Sequence, residues 1–227
     1  MQSSLTSDGR GLKVLAIDTC LNACQAAVVQ GGESLAMLSE PMSRGHQERL
    51  ATMVRDVMNE AGLAFSDLDL IGVTVGPGSF TGLRVGLAFA KGLALALDRS
   101  CVGVGSLEAL AASTPGDCAR VAVIDAGRGR VFAQMFVGAA PLSPPELMDL
   151  ETAPARFIER RPLVDFMVTG PGATLFESAW PACSLASLDF PSPLAIARLA
   201  ATGPGTKAEP LYLRPPDATP KVRTIAP

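Results

Sequence analysis

The segment VLAID ending at Asp18 returns as VAVID ending at Asp125, and each copy runs into a tight turn and a second apolar stretch. A repeat set half a chain apart calls for one folding unit used twice. In the first copy LKVLAID (12–18), ACQAAVVQ (23–30) and, after Gly31-Gly32, ESLAMLSE read as three strands joined by hairpins. GHQERLATMVRDVMNEAGL then places Leu50, Met53, Val54, Val57, Met58 and Ala61 at helical spacing, with Gly62 as its stop. LIGVTV (70–75) is a buried strand. The second copy pairs VAVID with RVFAQMFV (130–137). A helix near 152–161, a strand LVDFMVT (163–169), GPGA and a helix near 192–202 complete a shorter version.

Strands alternating with helices in this way make an α/β protein of two lobes with a cleft between them. The first lobe is placed at 12–110, with helices at 46–62 and 80–97. The second is placed at 111–213, its last helix free to pack back on the first. Residues 1–11 and 214–227 read as flexible ends. After Gly203 the chain is rich in proline and lacks periodicity, so order is expected at most through Tyr212 to Arg214.

A chain of 227 residues that is 48% hydrophobic can fill cores of this size. Its net charge of -3 and 5% aromatic content speak against independent RNA binding, which needs cations for phosphates and rings for bases. Five scattered cysteines with no C-x-x-C pair fit a reducing cytoplasm and neither zinc nor a redox dithiol. The leader MQSSLTSDGRG is too polar for a secretory signal. Residues 82–97 are interrupted by Arg84 and Lys91 and read as too short for a bilayer, so no membrane association is expected.

GPGSFTGLRVG (76–86) invites comparison with a phosphate loop. Gly76 and Gly78 permit unusual backbone angles, and a helix starting beside Ser79 would offer free N–H groups to an anion. No G-K-[ST] follows, however, and a strand-to-helix turn capped by Ser79 needs the same residues. The helix that follows is apolar almost all round, with Arg84 and Lys91 on one stripe. Either the chain's own layers or a protein partner must cover it.

His46 is the only histidine, and Leu50 stands one helical turn on, where a second ligand would sit. A two-histidine metal site within one subunit is therefore impossible. Asp18 and Asp125 end matching strands at the expected cleft, where they could hold a metal or activate water, or simply terminate strands. Arg128 and Arg130 beside Asp125 could bind an anion.

VLAIDTC, GHQERLATMV, GVTVGPGSFTGLRVGLAFAKGLA, GSLEALA, VIDAGRGRVFAQMF and EPLYLR occur in the order and at about the spacing of the TsaB (YeaZ) family, which the chain resembles over nearly its whole length. The resemblance implies the actin, sugar-kinase and Hsp70-like fold, built from two ribonuclease-H-like lobes with the second shortened. It also implies a non-catalytic subunit with no catalytic residue and no metal. Such a subunit partners a TsaD-type transferase, which forms N6-threonylcarbamoyladenosine at adenosine 37 of transfer RNAs reading codons that begin with A. A TsaE-type ATPase joins the assembly, transfer RNA is met only through it, and the isolated subunit is expected to form a homodimer.

In the catalytic paralogue the helix matching 46–62 carries an H-x-x-x-H metal pair. By the same resemblance His46, Leu50, Met53, Val57, Arg84, Leu87 and Lys91 form the partner interface. Asp18, Gly76, Gly78, Ser79, Asp125 and Arg128 mark a vestigial nucleotide cleft. Cys20, Gly127 and Pro171 depart from the family pattern at that cleft, in line with no cofactor of the chain's own and with ATP or ADP held, if anywhere, by the assembled complex. The alternatives are a small-molecule kinase or ATPase of the same fold acting alone and, against the lone histidine, a metallopeptidase.

Overall fold

Val14, Leu15, Ala16 and Ile17 are all buried, so the strand that contains them must be covered on both faces. Alternation decides what covers each face. Leu15 and Ile17 point into one core with the helix at 46–60, whereas Val14 and Ala16 point into another beneath the helix at 193–202. Val14, Leu15 and Ile17 each contribute about 1.5–3 kcal/mol on burial, and Ala16 less.

The computed structural model describes residues 11–116, 118–138, 140–160, 166–202 and 206–214. Strands β1 (Lys13–Asp18), β2 (Ala23–Gln30) and β3 (Glu33–Pro41) form an antiparallel meander. Helix α1 (His46–Glu60) carries the chain over to β4 (Leu70–Thr74), parallel to β1, and α2 (Phe80–Leu97) crosses to β5 (Ser100–Val104), parallel to β4. These are the crossovers that parallel strands require. After α3 (Ser106–Ser113) the plan repeats. Strands β6 (Ala119–Gly127) and β7 (Arg130–Val137) form the second hairpin, extended by β8 (Ala140–Pro141) and β9 (Glu146–Asp149). Helix α4 (Ala153–Arg160) leads to β10 (Phe166–Thr169), parallel to β6. The short α5 (Phe176–Ala179), β11 (Ser184–Ala186), α6 (Pro193–Thr202) and β12 (Thr206–Lys207) complete the described chain. The sheet orders are β12-β5-β4-β1-β2-β3 and β11-β10-β6-β7-β8, with β9 also on β7.

The expected duplication is present: Asp18 and Asp125 fall at corresponding places in two hairpins, each flanked by a parallel strand. One difference from the sequence reading concerns the helices between the lobes. The boundary placed at 110/111 falls inside α3, whose Leu107, Leu110 and Ala111 pack on Ala122, Ile124 and Phe136 of the second sheet. Conversely α6, the helix left free to pack back on the first lobe, sets Ile196, Ala197 and Ala200 against the first sheet. Each sheet is thus covered by a helix from the other half of the sequence.

The proline-rich end also departs from its reading. Thr206 and Lys207 pair with Gly103 and Val102 as an added edge strand, and Arg214 donates to the Ala126 carbonyl. Of the strand expected at 163–169, positions 163–165 lie outside the described residues, as do 1–10 and 215–227 of the ends.

At 18 residues α2 reaches the length and hydropathy of a membrane span, which the sequence reading denied it. Its Leu83, Leu87, Ala90 and Ala94 lie in the first core, the placement of a sheet-covering helix.

Candidate functional site

The loop between β4 and α2 is held from below by residues 19 and 20. Ser79 N–H donates to the Cys20 carbonyl at 2.7 Å, and Thr19 Oγ1 donates to the Gly82 carbonyl at 2.7 Å. Gly78, Gly82 and Gly86 recur at intervals of four, and all three present their bare Cα to this turn. A Cβ at Gly78 would strike the Cys20 carbonyl oxygen, one at Gly82 the Thr19 carbonyl oxygen, and one at Gly86 would stand 2.5 Å from Thr19 Oγ1. The glycines therefore serve close packing of backbone on backbone.

Ser79 caps α2 by accepting from Gly82 N–H at 3.2 Å. Two N–H groups of the loop are thus taken, and two carbonyl oxygens lie against its glycines. Gly76 holds a φ of 98° and its carbonyl accepts from Ser106 N–H, joining the loop to α3.

Asp18, expected to face the cleft, is fully buried beneath it. Its carboxylate accepts from Thr74 Oγ1 at 2.6 Å, Cys20 N–H at 2.9 Å and Gln25 Nε2 at 3.1 Å. Burial pushes this carboxyl above its ordinary range, opposed by those three bonds and by His46 nearby. Burial likewise raises the Cys20 thiol, and pushes Cys24 up to about 11, so neither is a ready thiolate. No ligand can reach Asp18 without dismantling this network. Asp125 does line the cleft, its carboxylate accepting from Gly127 N–H, while Arg128 sits at a φ of 58° in the exposed β6–β7 turn. Of the six residues assigned to a nucleotide site, Gly78, Ser79 and Asp125 thus line the cleft, Asp18 lies in a buried network beneath it, Gly76 joins the turn to α3 and Arg128 stands in a surface turn. Among the described residues no group of three His, Cys, Asp or Glu side chains is placed to hold a metal.

Between the lobes lies a cavity of about 1000 Å³. Leu21, Pro77 and Leu83 line one side and Ile124, Phe132 and Pro171 the other, so its walls are mainly apolar. At its mouth the Arg84 guanidinium lies 3.7 Å from the centre of the Phe80 ring and its Nε donates to Tyr212 Oη at 3.1 Å. The Phe80 and Tyr212 rings stand 5.6 Å apart. The sequence reading allowed order through Tyr212 to Arg214 but gave Tyr212 no place at the cleft; an aromatic residue between two leucines in a proline-rich segment was the available signal.

The proposed interface residues separate by burial. Leu50, Met53, Val57 and Leu87 pack inside the first core, because they occupy the helix faces turned to the sheet. His46 is also buried, and its Nε2 has no hydrogen-bond partner among the described residues. Of the seven, Arg84 and Lys91 alone are exposed. The open face of α2 carries Thr81, Arg84, Ala88, Lys91, Gly92 and Leu95, the last 85% exposed. The helical spacing was read correctly, but the side facing inward was assigned outward.

Two ribonuclease-H-like lobes, each with a hairpin and parallel strands, facing each other across a cleft define a protein of the actin, sugar-kinase and Hsp70-like class. Comparison with known proteins narrows this. A family model described as TsaD: tRNA N6-adenosine threonylcarbamoyltransferase matches residues 37–139. The tRNA threonylcarbamoyladenosine biosynthesis protein TsaB of Escherichia coli strain K12 is 36% identical over 124 residues, which make up 53% of each chain. The chain thus spans about half the length of this curated relative. An uncharacterized protein of Mycobacterium tuberculosis strain H37Rv is 37% identical over 213 residues, 91% of this chain and 94% of that one. The solved structure of YeaZ from Pseudomonas aeruginosa superposes with a TM-score of 0.74 at 30% identity, covering 89% of this chain and 100% of that one. The chain belongs to the TsaB (YeaZ) family.

Proposed function

We propose that this chain is the non-catalytic scaffold subunit that binds and activates a TsaD-type transferase during formation of N6-threonylcarbamoyladenosine at adenosine 37 of transfer RNAs reading codons that begin with A. The observation that carries this reading is the division of α2 into two faces. One is fastened to Thr19 through Gly82 and Gly86; the other is open to solvent and sets the small or apolar Ala88, Gly92 and Leu95 around the charges of Arg84 and Lys91. A helix of this composition gains by covering its second face. Small residues there allow close approach of another helix, and Arg84 and Lys91 can pair with a partner's carboxylates. In the absence of a TsaD-type partner a second copy of the chain takes the same place.

Catalysis by this chain alone is disfavoured by its chemistry. The lone histidine is buried beside Leu50, and the loop at 76–82 is filled by its own backbone. The same features disfavour the reading as a stand-alone kinase or ATPase. Nucleotide and a TsaE-type ATPase accordingly belong to the assembled complex, through which alone the chain meets transfer RNA, in the cytoplasm.

The test is threonylcarbamoyladenosine formation in a reconstituted mixture of donor-making enzyme, TsaD and TsaE, with this chain present, absent, or carrying Ala88→Glu with Leu95→Asp. Product is expected only with the wild-type chain. Equal product in its absence overturns the reading, and magnesium-dependent ATP hydrolysis by the purified chain would support the stand-alone enzyme instead.

A further inference from the structure

The segment from Glu209 to Arg214 joins the two lobes by a route separate from the main connection through α3. It leaves β12 at the edge of the first sheet and runs past the end of β4, where Leu211 N–H donates to the Val75 carbonyl at 2.8 Å. The Leu211 carbonyl oxygen lies where a side chain on Gly76 would be, 3.1 Å from that Cβ position. Tyr212 then lies against Phe80 and receives the Arg84 hydrogen bond, so the segment is tied to the first two turns of α2. Two residues later Arg214 crosses the mouth of the cavity and donates to the Ala126 carbonyl at the end of β6, in the second lobe. Its Nε is buried and has no hydrogen-bond partner among the described residues. Leu211, Tyr212, Leu213 and Arg214 all line the cavity.

We propose that residues 209–214 are a strap that sets the opening of the interlobe cleft. The anchorage is unequal. On the first lobe the strap holds through a backbone bond, an aromatic pair and the Arg84–Tyr212 bond; among the described residues its hydrogen bond to the second lobe is the one from Arg214. One bond against three contacts makes the second-lobe end the first to release. The lobes separate by losing that bond while Tyr212 stays on α2. Since Tyr212 also positions Arg84, cleft opening and the arrangement of the exposed face of α2 are linked. This second statement rests on the partner reading given above; the strap itself does not.

The experiment is hydrogen–deuterium exchange on the full chain, with small-angle scattering, for the wild type, Arg214→Gln, Arg214→Lys and Tyr212→Phe. Arg214→Gln is expected to raise exchange about tenfold in peptides covering 124–128 and 211–214, as loss of one charge-assisted bond implies. It should also increase the radius of gyration while leaving β2 and β3 unchanged. Arg214→Lys keeps the charge and should fall between this variant and the wild type. Tyr212→Phe removes the hydroxyl alone and should raise exchange in the first turns of α2. Faster exchange confined to 211–214, with 124–128 and the scattering profile unchanged, overturns the strap. Should Arg214→Gln unfold the chain, the decision falls to Arg214→Lys, and a wild-type value at 124–128 in that variant overturns it equally. A strap confirmed by exchange, combined with unaltered TsaD binding by Tyr212→Phe, would leave the strap standing and remove its link to the partner.

Discussion

Thr19 Oγ1 donates to the carbonyl of Gly82, and the bare Cα of that glycine rests on the carbonyl of Thr19. This reciprocal contact fixes where α2 begins relative to β1. It predicts a graded series of alanine substitutions. Gly82→Ala must displace backbone and should cost about 3 kcal/mol or more. Gly86→Ala meets the Thr19 hydroxyl 2.5 Å away, which can move only by giving up its bond to the Gly82 carbonyl, a side-chain shift and not a backbone one, so the cost should be smaller, about 1–2 kcal/mol. Gly92→Ala meets nothing within 4 Å and should stabilise the helix by about 0.5–1 kcal/mol. Urea denaturation of the three variants checks the order.

Leu87 and Leu95 lie on the same helix with opposite fates. Leu87 is buried among the first-lobe core, whereas Leu95 is 85% exposed. Leu87→Asp should therefore unfold the lobe, at a cost of about 3–5 kcal/mol. Leu95→Asp should leave the thermal midpoint within a degree or two, since exposed positions seldom matter to stability, yet abolish co-purification with a TsaD-type partner. A folded Leu95→Asp chain that still co-purifies would remove α2 from the interface.

Arg120 is buried on β6. Its guanidinium donates to the carbonyls of Ala111 and Thr114, each at 2.7 Å, and to Gly116, closing the C-terminal end of α3. Carbonyls at and just beyond a helix end lack the N–H partners of the next turn, and Arg120 supplies donors to them. Arg120→Met should keep much of the packing but leave the carbonyls unsatisfied, at a cost of about 2–4 kcal/mol. A thermal scan of this variant against wild type makes the measurement.

What could be read in the sequence followed from periodicity. The hairpins, α1, α2 and the duplication rest on apolar spacing that one strand or helix imposes by itself, and their positions were found to within a residue or two. Spacing could not say that α3 covers the second sheet and α6 the first, because that choice depends on which core has room once both lobes exist. Nor could it tell the inward from the outward side of α2. Leu87 and Leu95 are chemically alike, and it is Thr19, some sixty residues away in sequence, that selects the glycine side as the inner one. Asp18 was misplaced for a related reason. A strand ending on aspartate looks the same whether the carboxylate meets solvent or meets Thr74, Cys20 and Gln25.

That buried carboxylate gives the chain a pH signature of definite sign. Burial raises the Asp18 carboxyl above its ordinary value of 3.8, so the folded state binds its proton more tightly than the unfolded state does. Its contribution to stability is then complete below the unfolded pKa, falls as pH rises toward the folded value, and is constant beyond. Asp18→Asn cannot titrate and can still accept from Thr74 and Cys20 through its amide oxygen. Its amide nitrogen, however, would face the Gln25 donor that the wild-type carboxylate accepts. A fixed loss from that contact is expected at every pH. Superimposed on it, the difference between variant and wild type should move in favour of asparagine as pH rises from about 4 to about 8. Urea midpoints across that range supply the test. A difference that is flat, or that moves toward the wild type, would mean that the three donors hold Asp18 ionised in the folded protein despite its burial.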